Sequence, residues 1–263
     1  MTQTDTSLLE HEVNLPRIRT ITMDHPWQWL AKGWRDLSTV PSFSLSYGAI
    51  FVIISYLLAA GLINENLFFI IPPLSAGFFL VAPLLGIGLY QISASLERGE
   101  KVEFCQAWKA WQRNDVHLAA MGVVLLLLLI AWMLAAILVF ALLYTKPIPT
   151  WERFIPEVFL SGDSPLFLFT GIGVGGLFAA FTFSIAAVST PLLMDRQIDV
   201  VSAMKVSMEA VKMNWKPMML WAALIAMFVG VGLLSFFLGL FVTMPLVGHA
   251  TWYAYRDLIE SDN

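Results

Sequence analysis

The sequence predicts an all-α membrane protein with six transmembrane helices, and three observations support this fold class. Hydrophobic residues make up 58% of the 263 residues and charged residues only 13%, with a mean hydropathy of +0.74, outside the range of soluble proteins. Residues 117–144 contain no Asp, Glu, Lys or Arg, and about 20 apolar residues suffice to cross a bilayer. Residues 218–255 form a longer uncharged run, which as a helix exceeds one span.

The N-terminal region is polar and acidic and lacks the apolar core of a signal peptide. We expect residues 1–25 to form a disordered cytoplasmic tail and residues 26–260 to form the six-helix transmembrane domain. Apolar side chains then recur at steps of three and four: Trp27, Leu30, Trp34 and Leu37. This stripe predicts an amphipathic helix that lies in the membrane interface.

The first two spans follow this surface helix. Ser42 is a candidate N-cap for a first span over residues 43–63. After a polar turn, apolar sequence resumes over residues 67–95, which is longer than one span requires. Because proline starts or kinks a helix, we expect the second helix to begin near Pro73 and to bend at Pro83.

The same pattern of surface helix and spans returns in the middle of the chain. A second stripe at steps of four and three predicts another interfacial helix: Phe104, Trp108 and Trp111. Asn114 or Asp115 is expected to cap the third span, residues 117–144. A loop over residues 146–163 then leads to Ser164 and Pro165, a cap and first-turn proline that open a fourth span over 166–190.

A third surface helix is predicted within residues 194–214. Its apolar face is expected to comprise Val201, Met204, Met208 and Val211. We divide the run over residues 218–255 into a fifth and a sixth span by a tight hairpin near residues 230–235. Thirteen of the fifteen lysines and arginines then lie on one side, with only Lys146 and Arg153 on the other, which predicts that both termini are cytoplasmic.

The chain also shows a three-fold pseudo-repeat, at about residues 26–95, 102–190 and 199–258. Each unit contains a surface helix, two spans and a proline followed by two aliphatic residues: Pro83, Pro191 and Pro245. The segments before the third and fifth spans each carry an alanine four residues before an asparagine: Ala110 and Asn114, Ala210 and Asn214. Such repeats occur in transporters, although they also build simple bundles.

Gly171, Gly173 and Gly176 spell G-x-G-x-x-G, with Asp195 about twenty residues further on. Dinucleotide binding requires a strand before the glycines, whereas these lie inside a predicted span. Small residues four positions apart instead predict close packing of helices: Gly171 with Gly175, Gly175 with Ala179, and Gly176 with Ala180.

The remaining polar residues give no catalytic or metal-binding pattern. The four histidines are too few for an oxidase-type haem or copper site, since His11 and His25 lie in the predicted tail. His117 lies at the entrance of a span, and His249 is predicted to make interfacial hydrogen bonds rather than to bind a ligand or carry a proton. Cys105 is the single cysteine and is expected to be a packing residue. Polar side chains that either line a path or serve helix packing are Tyr47, Ser55, Gln91, Ser93, Thr182, Ser184 and Thr243.

No predicted span contains a charged residue, whereas ion-coupled transporters and proton relays commonly do. The sequence has no nucleophile–base set, no paired carboxylates and no metal-binding spacing. We therefore predict no enzymatic activity, no catalytic residues, no metal and no cofactor. The net charge of −4 disfavours nucleic acid, and the lipid bilayer is the predicted partner.

Three segments resemble a family of bacterial integral-membrane proteins labelled domain of unknown function 2189. The resemblance lies in residues 34–37, 77–99 and 253–258, and extends over about residues 26–260. It implies a location in the bacterial inner membrane and carries over no catalytic residue, because the family has no established activity. Some members bear the label cytochrome c oxidase subunit I, which implies at most an association with respiratory complexes.

Together these features favour a non-catalytic accessory or assembly component of a larger membrane complex, such as a respiratory one. This hypothesis rests on uncharged spans, small-residue helix faces and the aromatic surface helices. The alternative is a carrier or channel for a neutral or lipid-like solute, which the repeat and the proline-broken spans favour.

Overall fold

The computed structural model describes residues 15–102 and 114–260. Over these residues the chain is a bundle of helices without a β-sheet. The α-helices are α1 (His25–Thr39), α2 (Pro41–Asn64), α3 (Ile71–Leu85), α4 (Ile87–Glu97), α5 (Asp115–Leu143), α6 (Trp151–Ile155), α7 (Pro165–Ala186), α8 (Ser189–Asp195), α9 (Val200–Met213), α10 (Trp215–Leu234) and α11 (Leu240–Leu258). A 3₁₀ turn at Phe68–Ile70 precedes α3 and a π-helical turn at Pro156–Leu160 follows α6. The predicted all-α class is confirmed. The predicted second surface helix, with Cys105, lies outside the described residues.

Prolines begin several of these helices, because the first turn does not need their missing N–H. Pro41 begins α2 and Pro165 begins α7, while α3 has Pro72 in its first turn. The prediction that Ser42 caps the first span is wrong, since the helix starts two residues earlier, at Pro41, with Val40 in the cap position and without a side-chain cap.

The kink predicted in the second span is a break between two helices. Pro83 lies near the end of α3, which stops at Leu85, and α4 begins two residues later at Ile87. The hydroxyl of Tyr47 on α2 donates to the Leu85 carbonyl at 2.9 Å. This bond supplies a partner for a carbonyl at the break, where the regular helical pattern stops.

Five helical stretches of the described residues are long and apolar enough to cross a membrane: Pro41–Asn64, Phe68–Glu97, Asp115–Leu143, Pro165–Asp195 and Trp215–Leu234. Large apolar side chains cover their outer faces; Leu142 is 67% exposed and Phe169 is 76% exposed. Apolar surface of this extent requires a lipid environment, where each backbone amide must also be satisfied within the helix.

The sixth predicted span corresponds to α11, which is not among these five stretches. The uncharged run is divided as expected, although the turn falls at residues 235–239 instead of 230–235. Phe236 and Phe237 in this turn both have positive φ angles, of 54° and 65°. Most side chains of α11 are buried against α1, α2, α4 and α10, so this helix faces protein where the other spans face outward.

The two ends of the described chain lie together at one end of the bundle. Ile18 pairs with Ile259 in an isolated antiparallel bridge, and the Arg19 amide donates to the Leu258 carbonyl at 2.8 Å. The prediction of a disordered tail therefore reaches too far, because these residues before 25 are hydrogen-bonded to the end of α11. We call this end, where α4, α8 and α11 terminate and α5 and α10 begin, the polar end.

Helix α1 presents a different face to the protein than the stripe of four apolar residues predicted. Leu30 and Leu37 are buried, together with Trp29, whereas Trp27 and Trp34 are more than half exposed. The helix is therefore buried on the side where Gly33 allows close contact with the backbone of α11. Its two exposed tryptophans face away from that contact.

Helix α9 likewise buries another face than predicted. Val201 and Met208 are exposed, and the buried residues are Ala203, Val206, Ser207 and Ala210. The Ser207 hydroxyl donates to the Ser184 carbonyl on α7 at 2.8 Å. Small side chains decide this orientation, because they allow α9 to approach α7 and α8 closely.

The two asparagines that precede α5 and α10 have similar roles. Each occupies the cap position of its helix without a side-chain cap bond, and each amide instead donates to neighbouring carbonyls. The acceptors of Asn114 are the carbonyls of Leu193, Arg196 and Ile198, at 3.2, 3.3 and 3.0 Å. Asn214 donates to the Arg19 carbonyl at 2.9 Å and accepts from the Ile21 amide at 2.8 Å.

Candidate functional site

A cluster of buried polar side chains lies near the polar end, where α1, α2, α4 and α11 meet. We call it the polar cluster; its members are Asp36, Ser44, Ser93, His249 and Tyr253. Ser44, Ser93 and His249 are fully buried, and Asp36 is 3% exposed. Four helices therefore each contribute to one polar site inside otherwise apolar packing.

The hydrogen bonds of the polar cluster form an unbroken chain. The hydroxyls of Ser93 and Tyr253 both donate to Oδ2 of Asp36, each at 2.8 Å. Ser93 Oγ also lies 2.8 Å from Nδ1 of His249, and Ser44 Oγ lies 2.8 Å from Nε2 of the same ring. Both ring nitrogens are thus occupied, which leaves His249 without a free lone pair for a metal.

Asp36 is the ionisable centre of this cluster. Burial raises the pKa of its carboxyl above the ordinary value, and this effect outweighs the opposing influence of the Ser93 and Tyr253 hydrogen bonds and of Arg35. Glu97 adds a smaller upward influence. A carboxyl group in these surroundings takes up a proton more readily than an exposed aspartate does.

Asp36 is a candidate site residue that the sequence pattern did not indicate. The apolar stripe predicted for α1 does not include it. The predicted spans lack charged residues, but Asp36 lies outside them on α1 and is buried between α4 and α11. Trp29, Gly33, Asp36 and Leu37 recur at steps of four, three and one, and this alternative face was the available signal.

His249 was correctly predicted as a hydrogen-bonding residue, but it is buried rather than interfacial. Ser93 is the one residue of the predicted set of path-lining polar side chains that joins it. Among the others, Tyr47 bonds the Leu85 carbonyl, Gln91 bonds Ser95 and Ser184 bonds the Ala180 carbonyl. The buried hydroxyls of Thr182 and Thr243 have no hydrogen-bond partner in the structure. Of the two alternatives for these side chains, a polar path or helix packing, the described contacts do not give one continuous path.

Three carboxylates close the polar end, and each accepts a hydrogen bond from an aromatic side chain. The indole N–H of Trp29 donates to Asp257 at 2.8 Å, and that of Trp252 donates to Glu97 at 3.0 Å. The hydroxyl of Tyr255 donates to Asp195 at 2.6 Å. Asp195, the acid that follows the G-x-G-x-x-G glycines, therefore serves to fix α11 against α8.

A second candidate site is an apolar cavity of about 330 Å³ between α3, α5 and α7, towards the end of the bundle opposite the polar end. We call it the lateral cavity. It is lined by side chains that include Pro73, Trp132, Phe140, Phe167, Gly171 and Gly175. Phe154 and Phe159, from the loop between α5 and α7, also line it. Its walls make apolar contacts with whatever occupies the cavity and carry almost no polar groups.

The glycines of α7 create space instead of the close helix packing that was predicted. A Cβ at Gly171, Gly173 or Gly176 would meet no other atom within 4 Å, so none of them lies in close contact with another helix of the described chain. Gly175 faces the indole ring of Trp132, at 3.1 Å from a built Cβ. The ring is held in place by an N–H bond to the Pro73 carbonyl at 2.8 Å.

The other sequence candidates do not converge. The G-x-G-x-x-G glycines lie in the interior of α7, which removes the strand-to-helix turn that dinucleotide binding needs. His117 lies in the first turn of α5, while the ring of His25 packs against Trp29 and accepts from the Thr22 amide at 3.1 Å. Within the described residues, no group of three or more His, Cys, Asp or Glu side chains is arranged to hold a metal.

The apolar helices and their exposed faces define a multi-pass integral membrane protein. A family model described as a predicted integral membrane protein (DUF2189) matches residues 70–195, which confirms the resemblance over this stretch. Residues 34–37 and 253–258, two segments of that resemblance, lie outside the matched range. No curated protein and no solved structure matches the chain.

Proposed function

We propose that this protein binds a lipid-like solute in the lateral cavity and acts as a membrane carrier or lipid-binding component, without enzymatic activity. This proposal rests on the lateral cavity, which lies within the spans and has apolar walls. Its volume falls near the lower end of ligand pockets, about 300–1,000 Å³. A ligand that reaches such walls from the surrounding bilayer is an acyl or comparable hydrocarbon chain.

The polar residues support a lipid-like solute over a polar one. A hydrophilic solute requires convergent hydrogen-bonding groups along its path, and the polar side chains of the described spans are separated or enclosed. The polar cluster, an extended hydrogen-bonded chain among the described residues, is buried, and its side chains bond one another. The apolar lateral cavity therefore fits hydrocarbon better than it fits a sugar or an ion.

Substitution of Gly171 tests this proposal. Gly171→Leu is expected to fill the lateral cavity without a clash, because a side chain there meets nothing within 4 Å. In vesicles containing a phosphatidylcholine with a diazirine on one acyl chain, light should label Phe140 and Phe167 in the wild type. We expect this labelling, mapped by mass spectrometry, to fall several-fold in Gly171→Leu.

Gly173→Leu is the matched control. It lies on the same helix, has equal free space and is exposed away from the lateral cavity. Labelling at the cavity residues should be unchanged in this variant. Equal labelling in Gly171→Leu and in Gly173→Leu would show that the label reports lipid around the bundle and not a bound ligand, and would contradict the proposal.

An accessory role in a larger complex is a second candidate, and one observation favours it. Gly173, Gly176 and Ala180 form an exposed stripe on α7 that no other helix of the described chain covers. Small residues allow close approach of a helix in lipid. Gly176→Leu should then reduce recovery of a companion protein from native membranes; unchanged recovery would count against this role.

We infer that both termini are cytoplasmic and that α11 completes a sixth crossing in a bacterial inner membrane. Among the described residues, the opposite end carries only Lys146 and Arg153, while the other lysines and arginines lie at the polar end. This proposal includes the placement of α1 and α9 in the membrane interface. It also includes the three-fold repeat, which the similar bonds of Asn114 and Asn214 support. A reporter fused after Asn263 should be cytoplasmic; a periplasmic reporter would leave five spans.

A further inference from the structure

The hydroxyl groups of the polar cluster fix the direction of its hydrogen bonds. A serine hydroxyl has one hydrogen to donate. When Asp36 is ionised, Ser93 donates to it, so Ser93 Oγ must accept from Nδ1 of His249 across their 2.8 Å contact. The ring then carries its hydrogen on Nδ1, and its Nε2 accepts from the hydroxyl of Ser44 at 2.8 Å.

This assignment of donors and acceptors holds when the imidazole ring of His249 is neutral. His249 is fully buried, and its ring contacts the hydroxyls of Ser44 and Ser93 and the Leu89 backbone, so no carboxylate is in direct contact to compensate an imidazolium charge. A buried charge without such a partner carries a high desolvation cost. One nitrogen of the ring therefore donates and the other accepts.

The same heavy-atom positions allow the opposite direction when Asp36 holds a proton. Asp36 then donates to Ser93, Ser93 donates to Nδ1, and Nε2 of His249 donates to Ser44. The change balances as a transfer along the chain: Asp36 takes the hydrogen of Ser93, Ser93 takes the one on Nδ1, Nε2 takes the one of Ser44, and a proton from solution replaces it on Ser44. The net change is one proton taken up from solution and bound at Asp36, with every other hydrogen retained in the chain.

We propose that Asp36 is a proton-binding site whose occupancy selects the tautomer of His249. The site reaches from the surface helix α1, through α4 and α11, to the start of the first span at Ser44. Binding of one proton therefore changes hydrogen bonds between side chains of four helices. Proton binding is favoured by burial of Asp36, which raises the pKa of its carboxyl.

The charged groups around Asp36 come from each helix packed against it. Helix α1 carries Arg35, which favours the ionised carboxylate, and Lys32, which lies over the Tyr253 ring at 5.2 Å. Helix α4 contributes Glu97, which favours the protonated form. Helix α11 contributes His249, Tyr253, Arg256 and Asp257, and the start of α2 contributes the neutral Ser44. Arg256 contacts Glu97 at 3.2 Å and Lys32 lies 3.7 Å from Asp257, so the outer charges are paired.

Nitrogen-15 NMR of the full chain in detergent tests this proposal, with His249→Gln identifying the signals. In the wild type we expect the hydrogen-bearing nitrogen to change from Nδ1 to Nε2 as the pH is lowered. In Asp36→Asn the tautomer should not respond to pH in that range. Asp257→Asn is the matched control, because this acid also bridges α1 and α11 but lies outside the chain, and it should switch as the wild type does.

Infrared spectroscopy of the same samples measures proton binding separately, through a protonated-carboxyl C=O band that Asp36→Asn lacks. Ser93→Ala should keep this band but lose the tautomer change, and Ser93→Thr should restore the change. An absent Asp36 band in the folded wild type would overturn the proton site. A band that titrates while the His249 tautomer stays constant, or a switch that survives in Asp36→Asn, would overturn the coupling.

Discussion

Burial of Asp36 makes the stability of the bundle depend on pH. Its pKa is raised in the folded protein, so the folded state holds the proton more tightly than the unfolded chain does. The free energy of unfolding should be highest below the ordinary pKa of 3.8 and should fall as the pH rises through the raised value. For one group the slope reaches at most about 1.4 kcal/mol per pH unit.

Asp36→Asn should remove this slope, because asparagine can accept the same two hydroxyl bonds without titrating. Denaturant unfolding in detergent at several pH values above 4 measures the effect. Asp257→Asn should retain the slope. A difference between the wild type and Asp36→Asn that does not vary with pH would contradict the assignment.

At the scale of helices, α11 is held by close approach to α2, and Gly48 makes that approach possible. A Cβ at Gly48 would overlap the backbone of Phe241, which a side-chain rotation cannot relieve. We expect Gly48→Ala to destabilise the bundle by about 2–4 kcal/mol, as overpacking and a displaced helix combine. Thermal unfolding in detergent would measure the loss.

Gly61→Ala serves as the control on the same helix, because a Cβ there meets nothing within 4 Å. It should leave the unfolding temperature unchanged or raise it slightly, since alanine favours a helix over glycine. Equal effects of the two substitutions would show that α2 and α11 do not meet as described.

The sequence predicts where the helices lie better than it predicts which faces of the helices contact each other. Apolar runs and prolines located the spans and the break after Pro83, because these depend on local chain properties. The buried face of α1 depends on a partner nearly 220 residues away, and periodicity alone did not distinguish Asp36 on that face from a solvated acid. The lateral cavity was also out of reach, since the spacing of Gly171 and Gly175 fits both close packing and empty space.

At the scale of the whole molecule, the two ends of the bundle differ in chemistry. The polar end collects both ends of the described chain, most lysines and arginines, and a buried proton-binding candidate. The opposite end holds an aromatic group that includes Tyr144, Phe154 and Phe167, next to the lateral cavity. This division suits a protein that is anchored at one membrane surface and takes a hydrocarbon chain from the other half of the bilayer.

Native mass spectrometry of the protein, purified in mild detergent from its own membranes, tests the central proposal most directly. The lateral cavity predicts one retained adduct of lipid mass on the wild type and on Gly173→Leu, and its loss from Gly171→Leu. A bare protein in all three samples, or the same adducts on all three, would contradict binding in the lateral cavity. A protein companion in place of the lipid would favour the accessory role.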